Sequence, residues 1–451
     1  MKKISLLALI ICSIPHMAGA ETLNDVLAFT YENNPTIMAE RTNLKATDEG
    51  VARAKSGYRP TVIAKGSIGR THNKLEYDDI LGDATYNQTP TDVSVSLVQP
   101  VFSGLSTYQS VRTAKSQVMA GRSTLLDTEQ MVFLDAIGAY MNVIRDQAVL
   151  DLQINNEKVL KKHLESYKKK FRVGEITRTD IAQSEARLSG ATANRIAAEG
   201  QLQVSKANYR DIIGQEPIDL KDVVSFEQGL PQSLDEALTL ALNENPKIKA
   251  AEYMQMASKY DVKAKQGVLS PSVDLTAQAG RQTKTTTIDK NDYWQVAANL
   301  SVPLYQSGAE YANVRASKQI ANQYRILLEK TRRAVKADTT SAWESYNAKK
   351  AQIVSIQDQI KASKTALDGV IREANVGQRT VLDVLDAEQE HLDNQVQLVR
   401  AHREEVISAY RLLSAIGKLT PTGLGLSVEQ YDPSVYYNDV ANKWIGWGID
   451  E

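Results

Sequence analysis

Along the chain the spacing of apolar residues switches between two periods. Val93-Ser94-Val95-Ser96-Leu97 alternates strictly, and from Trp294 to Val302 the apolar residues Trp294, Val296, Ala298, Leu300 and Val302 are mostly separated by polar ones. Val273, Leu275, Ala277 and Ala279 alternate with Asp274, Thr276, Gln278 and Gly280, and a weaker run follows Val62 to Arg70. A period of two predicts strands with one apolar face. These runs have about the 9–11 residues that a tilted membrane-spanning strand needs. Pro100 and Pro303 are expected to end them, and Phe102, Tyr293, Trp294 and Tyr305 sit near their ends as an interfacial aromatic girdle would. Elsewhere the period is helical. Residues 22–57 predict helix, broken near the start by Asn34-Pro35, because proline disfavours helix at the residue before it. Ser106 to Arg172 contains no proline, and glycine only at Gly121 and Gly138. At ~1.5 Å per residue such a helix would reach roughly 100 Å. Phe133, Ile137, Tyr140 and Ile144 step by coiled-coil spacing, as do Leu160, Leu164, Tyr167 and Phe171. A break at Gly174 precedes a second helix over about 179–213.

The same order returns. Leu23-Asn24-Asp25 through Asn34-Pro35 recurs as Leu234-Asp235-Glu236 through Asn245-Pro246, an offset of 211 positions (Pro35 to Pro246). Pro60 and Gly69-Arg70 recur as Pro271 and Gly280-Arg281 at that offset. Val111-Arg112, then Val173-Gly174 with Thr177 and Asp180, recur as Val314-Arg315, then Val376-Gly377 with Thr380 and Asp383, at an offset of 203 (Gly174 to Gly377). The shorter offset places an insertion in the first half, the polar segment Thr71–Thr91. The expected organisation is a leader over 1–20, repeats over 21–220 and 221–420, and a tail over 421–451 containing Trp444 and Trp447. Strands are expected at about 60–102 and 271–304, and long helices at about 106–172, 179–213, 310–375 and 381–416.

Composition sharpens this reading. Met1–Ala20 has a charged start (Lys2, Lys3), an apolar run and an Ala18-Gly19-Ala20 cleavage site, the pattern of a secretory signal peptide. Cys12 is the sole cysteine; Ile11 before it argues against a lipid-anchored first residue, and removal of the leader leaves none. With 53 Lys+Arg against 54 Asp+Glu, the chain lacks the basic surplus of a nucleic-acid binder. No nucleotide-binding loop, G-x-S-x-G motif or H-E-x-x-H spacing occurs around His72, His163, His391 or His402. Neither an enzyme nor a cofactor or metal site is expected. Four membrane strands cannot close a barrel, which takes about eight at least, and an open edge in lipid strands unpaired backbone groups. Several copies must therefore complete the wall, with the helices projecting into water.

These residues resemble the TolC-type outer-membrane channel proteins of tripartite efflux and type I secretion. The resemblance rests on the duplicated helix–strand–strand–long helix–helix halves and on the Val-Gly-x-x-Thr-x-x-Asp turns, and it covers essentially the whole mature chain. It implies a mainly α protein with membrane β: a homotrimer whose 12-stranded outer-membrane β-barrel, set in outer-membrane lipid, continues into a periplasmic α-helical barrel. Such a duct is passive, with energy supplied by an inner-membrane transporter through a periplasmic adaptor. The competing readings are a periplasmic coiled-coil scaffold or adaptor, and a porin, which would need many more strands per chain. The tail from Tyr431-Asp432-Pro433 to Trp444 is similar to tails of the secretion-type branch.

The turns are the most informative positions. Gly174 and Gly377 suit a left-handed helix end, and Thr177 with Asp180, like Thr380 with Asp383, suits a capping box. Beyond that role, Val173, Gly174, Thr177, Val376, Gly377 and Thr380 are expected to form the adaptor-docking end of the tube. Asp383 and Asp386 share one helix face. Read from the residues, they are a solvated acidic helix start. The resemblance implies instead two acidic constriction rings, favouring cations and raising each other's pKa by repulsion. It also implies that Arg379, Thr179 and Asp180 latch the tip, while Ala374 replaces a tyrosine common in the family, so that one latch contact is absent. Lys158, Lys161, Lys162, Lys168, Lys169 and Lys170 read as a solvated helix face or, more sharply, as a docking surface for an acidic adaptor.

Overall fold

A computed structural model describes residues 21–75, 84–223, 229–285 and 289–448; the leader and the centre of the 71–91 insertion lie outside the described residues. Two short helices, α1 (Leu23–Asn33) and α2 (Pro35–Lys55), lead into strands β1 (Thr61–Ile68), β2 (Thr71–Leu75), β3 (Ala84–Gln88) and β4 (Thr91–Ser103). The chain then runs through α3 (Ser106–Arg172) and returns along α4 (Arg178–Ile213). The same order follows in α5 (Leu234–Glu244), α6 (Pro246–Gly267), β5 (Ser272–Thr283), β6 (Lys290–Ser301), α7 (Ala309–Asn375) and α8 (Val381–Ala415). The last helix, α9 (Ser434–Val440), lies in the tail. Helices α3 and α7 have 67 residues each, roughly 100 Å of rod.

Strands β1-β4-β5-β6 form one antiparallel sheet, and β2-β3 a separate two-stranded ribbon. That ribbon is the described part of the first-half insertion; its short polar segments, such as Thr71-His72-Asn73-Lys74, carry no apolar alternation to announce a strand. In the main sheet Ala64 faces Val95, Val95 faces Ala279, and Ala279 faces Trp294. The alternating apolar residues of β4, β5 and β6, with Val62 and Ala64 of β1, therefore share one face, where Val95, Trp294, Val296 and Leu300 are exposed, while Ile63 and Val98 lie on the other. On the other face Asn299 donates to Thr276 (3.1 Å) and Gln278 to the Tyr293 hydroxyl (3.2 Å).

Two expectations need correction here. Pro100 does not end β4, which continues to Ser103; the register shifts between Pro100 and Phe102. This bulge adds one residue, so Phe102 pairs with Val273 and reaches the apolar face that strict alternation would have denied it. Tyr293 belongs to no lipid-facing girdle, because it pairs with Gly280 on the polar face, where its ring occupies the space a Cβ would take.

Where strands become helices, two backbones cross in contact. Gly104 has φ +59°, and a Cβ there would lie 2.1 Å from the carbonyl oxygen of Gly267; a Cβ on Gly267 would lie 2.5 Å from that of Gly104. Only glycine fits both sides.

The largest core lies midway along the rods. Phe133, Ile137 and Tyr140 of α3 are fully buried against residues of α1, α4, α6 and α8, including Leu27, Tyr209, Ile248 and Leu412. The Tyr140 hydroxyl donates to the carbonyl of Lys221 (2.7 Å) and lies 3.0 Å from that of Glu21, fastening the chain start and the inter-helix connection to α3. Phe171, the last of the heptad positions, is exposed instead, one residue before α3 ends.

The Asn-Pro pairs do more than interrupt a helix. Asn34 caps α2 by accepting from the Thr36 N–H (2.9 Å), and its amide donates to the Ile212 carbonyl at the end of α4 (2.8 Å). Asn245 does the same, accepting from Lys247 (2.9 Å) and donating to Ala415 at the end of α8 (2.9 Å). One side chain thus satisfies the start of one helix and the end of another. Asn245→Ala removes a cap and orphans a part-buried carbonyl, so it is expected to cost about 2 kcal/mol. A lowered temperature for heat dissociation of the oligomer on gels checks this; unchanged dissociation would mean that water replaces both bonds.

Candidate functional site at the helical tip

The far ends of the rods are built by one device used twice. After α3, Gly174 takes φ +82°, the Glu175 N–H bonds the Lys170 carbonyl (3.0 Å), and the Gly174 N–H bonds that of Phe171 (3.0 Å). After α7, Gly377 takes φ +82°, and the Gln378 N–H bonds the Glu373 carbonyl (2.9 Å). Both are Schellman ends. The next helix opens with a complete capping box: the Thr177 N–H donates to Asp180 (2.8 Å), and the Thr380 N–H to Asp383 (2.8 Å), each reciprocated by the threonine hydroxyl. Val173 and Val376, the residues that close α3 and α7, are each 71% exposed. Two apolar side chains thus stand in solvent at matching places.

A cavity of about 660 Å³ separates the two turns, with His163, Tyr167, Lys170 and Asp180 on one side and Ala374, Arg379 and Thr380 on the other. The small Ala374 side chain forms part of that wall. Three polar contacts bind the helix pairs to each other or brace their turns. His163 on α3 bonds Glu388 on α8 (2.9 Å), Arg187 on α4 pairs with Asp386 on α8, and Arg379 pairs with Glu373 within its own turn (2.8 Å). Leu160, Ala191 and Leu385 pack between α3, α4 and α8 just above.

This geometry changes the reading of the acidic pair. The Asp383 carboxylate accepts from the Thr380 N–H and hydroxyl, which hold its pKa below the ordinary value, with Arg379 adding to the effect. Within one chain the direction is therefore opposite to the expected mutual repulsion. The Asp386 carboxylate is engaged by Arg187, a residue that no spacing rule singles out because its partner is nearly two hundred positions away. Thr179 is exposed, and Asp180 is committed to its capping box. Of the lysine cluster, Lys168 pairs with Glu185 (2.8 Å), Lys170 lines the cavity, and Lys158, Lys161, Lys162 and Lys169 are exposed.

An open-edged sheet with one apolar face, carried on rods whose far ends are capped turns, defines an outer-membrane channel subunit. The family described as "Outer membrane efflux protein" matches residues 29–215 and 237–418. The chain belongs to that family. It is 36% identical over 431 residues to the outer membrane efflux protein BepC of Brucella suis, covering 95% of this chain and 92% of that one. It is 26% identical over 420 residues to the outer membrane protein TolC of Vibrio cholerae, covering 89% and 92%. The Campylobacter jejuni CmeC outer membrane channel superposes with a TM-score of 0.79 at 16% identity, covering 93% of this chain and 89% of that one. The fold is thus that of the trimeric channels whose membrane β-barrel continues into a helical barrel, one chain supplying part of each wall. The protein is a transport channel, an exit duct in the outer membrane of a Gram-negative bacterium with a large periplasmic portion. Family membership also sets aside the adaptor alternative.

The His163 contact has a pH sign. The hydrogen bond that the His163 ring donates to Glu388 raises the His163 pKa above its ordinary value against the opposing effect of burial. The nearby Tyr167, pushed up to about 12 mainly by burial, stays neutral. The stabilisation is therefore complete below the unfolded value of about 6.5 and is lost as pH rises through the higher folded value. Once each rate is corrected for the intrinsic base-catalysed rate, protection of the α8 amides around Glu388 is expected to fall as pH rises through the raised His163 pKa, and His163→Gln is expected to flatten that response. A wild-type response that survives the substitution would assign it to another group.

Proposed function

We propose that the turn end of the rods receives a periplasmic adaptor and that an inner-membrane transporter drives cargo through the duct, which itself performs no catalysis. Val173, Gly174 and Thr177, with Val376, Gly377 and Thr380, form the docking end. The observation that carries this reading is the pair of exposed valines on two equally capped turns, at the end of rods about 100 Å long. An apolar side chain held out by a rigid turn loses little entropy on binding and gains by being covered. Cargo follows the transporter: small molecules in efflux, proteins in type I secretion. The tail's likeness to the secretion branch favours protein cargo, and one relative, of Pseudomonas aeruginosa, is named the alkaline protease secretion protein AprF.

In the trimer Asp383 and Asp386 form constriction rings, and Arg379, Thr179 and Asp180 hold the tip closed. The intrachain partners noted above, Arg187 and Glu373, set how freely those groups reach a neighbour. Opening then means exchanging intrachain pairs for interchain ones, or the reverse.

Because Cys12 is the only cysteine and lies in the leader, single cysteines at Glu175 or Gln378 report contacts without background. Crosslinking from these positions in cells is expected to capture the adaptor, while a site midway along α4 should not. Equal capture at both places would refute tip docking. In planar bilayers, Asp383→Ala with Asp386→Ala is expected to weaken block by trivalent cations at least about tenfold, as loss of a charged ring predicts; undiminished block places both residues away from the constriction. Arg379→Ser is expected to raise single-channel conductance severalfold, and an unaltered conductance in an intact trimer would put the latch elsewhere.

A further inference from the structure

The boundary between the sheet and the rods carries a second polar site. Tyr58 closes the short 3-10 turn that links α2 to β1, and Tyr108 lies in the first turn of α3. With them, Lys55, Arg59, Arg112, Lys115 and Trp444 line a cavity of about 590 Å³ that contains four cationic side chains and no carboxylate. The tail reaches this place in a fixed path. Arg41 lies over the rings of Tyr31 (4.5 Å) and Tyr431 (4.9 Å), Arg122 lies over Tyr437 (5.4 Å), and Ala441 packs against Val51, Ala114 and Val118. Arg59 then donates to the Lys443 carbonyl (2.7 Å) and lies over the Trp444 ring (5.0 Å), while Lys55 donates to Asn442 (2.7 Å). These contacts use one donor each of Arg59 and Lys55, and Arg112 gives one to the Tyr260 hydroxyl (2.5 Å), while a lysine has three N–H groups and an arginine five. Beyond Asn442 the tail turns outward: Trp444 and Ile445 are exposed, and Trp447 is fully so.

Charge and position both specify the occupant. Four cations without an acid repel one another; burial, with Lys115 and Arg59 nearby, pulls the Lys55 pKa down. The strand ends Thr61 and Ser103 begin the lipid-facing wall, so the cavity lies at headgroup depth on the helix side of the membrane. Tryptophan and tyrosine favour that depth, where a ring meets apolar chains at one edge and water at the other. Arginine and lysine there meet phosphate.

We propose that the Lys55–Arg59–Arg112–Lys115 cavity binds the phosphate headgroup of an anionic phospholipid of the inner leaflet, with Trp444, Ile445 and Trp447 against its acyl chains. The tail thereby becomes a membrane anchor. It ties α2 and α3, at one edge of the sheet, to the lipid in which that sheet must close.

The test is native mass spectrometry of the detergent-purified trimer, titrated with phosphatidylglycerol or with phosphatidylcholine of the same chains. Each cation near an anionic headgroup contributes roughly fivefold in affinity. Phosphatidylglycerol is therefore expected to bind at least about tenfold better, and Arg59→Gln with Lys115→Gln should reduce that preference at least about fivefold. Arg59→Lys with Lys115→Arg keeps the charge and should retain it, which separates lost recognition from a damaged tail. Trp444→Ser with Trp447→Ser should weaken both lipids. Equal binding of the two lipids, or an unchanged preference in the glutamine variant, overturns the proposal. Displacement of the lipid by glycerol phosphate at equal concentration would assign the site to a free phosphate compound and overturn the lipid reading. So would adaptor binding that depends on Arg59 and Lys115 in the absence of any lipid preference, which would make the patch a protein contact.

Discussion

Backbone groups that face lipid must be paired, and this protein cannot pair all of its own. The sheet order β1-β4-β5-β6 leaves the outer edges of β1 and β6 without a partner strand among the described residues. Each unpaired N–H or C=O in hydrocarbon costs several kcal/mol, so the free edges are untenable in the membrane except against another copy. Trimer formation is thus a condition of the chain's being in the membrane at all. Most other features serve to present those two edges in the same register on every copy. The bulge at Pro100–Phe102 puts an aromatic ring on the lipid face at the end of β4, and the contact of Gly104 with Gly267 fixes where α3 leaves the sheet relative to α6.

The rods inherit their order from the sheet. α3 leaves β4 and α6 enters β5, so neighbouring strands deliver neighbouring helices, and Arg112 of α3 stacks on Tyr260 of α6 at 4.0 Å. The main core then lies far from the membrane, where Phe133, Ile137 and Tyr140 close a bundle that includes the short helices α1 and α5 of both halves. Below that level each pair, α3 with α4 and α7 with α8, runs on with smaller clusters such as Leu160–Ala191–Leu385 and Ile353–Ile356–Ala401. Thinner packing there leaves polar pairs to set how the helix ends sit, an arrangement that would suit the opening proposed for this end.

The sequence made some of this plain and concealed the rest for identifiable reasons. The long helices were legible because proline is missing from them and because Gly174 and Gly377 stand where only a left-handed turn would require glycine. Phe102 was legible as an aromatic at a strand end, but not the bulge that turns it to lipid, because a one-residue shift leaves no local signature. Tyr293 was misjudged since its period-two neighbour Trp294 lies on the opposite face, and only pairing with Gly280 shows which ring faces which way. The Asn34 and Asn245 bridges were visible as Asn-Pro breaks, while their acceptors, Ile212 and Ala415, lie some 170 residues further on. At the tip, Asp383 and Asp386 were correctly placed on one helix start. Their partners, Thr380 for Asp383 and Arg187 for Asp386, engage both carboxylates, and Arg187 comes from the other helix pair.

Duplication gave both halves the same turn, yet the halves differ in what they do with it. The first turn offers Glu175 and Ile176 where the second offers Gln378 and Arg379. The second turn's arginine is drawn back to Glu373 of its own helix, whereas the groups that join the helix pairs, His163 and Arg187, come from the first half and reach acids of the second. Cationic donors on α3 and α4 therefore hold acidic acceptors on α8. A salt bridge at the surface contributes little by itself, but moving α8 outward breaks both contacts together and leaves the Glu388 carboxylate, largely buried, without its donor. The two contacts therefore break together rather than one by one, a coupling that would suit the gate proposed for this end.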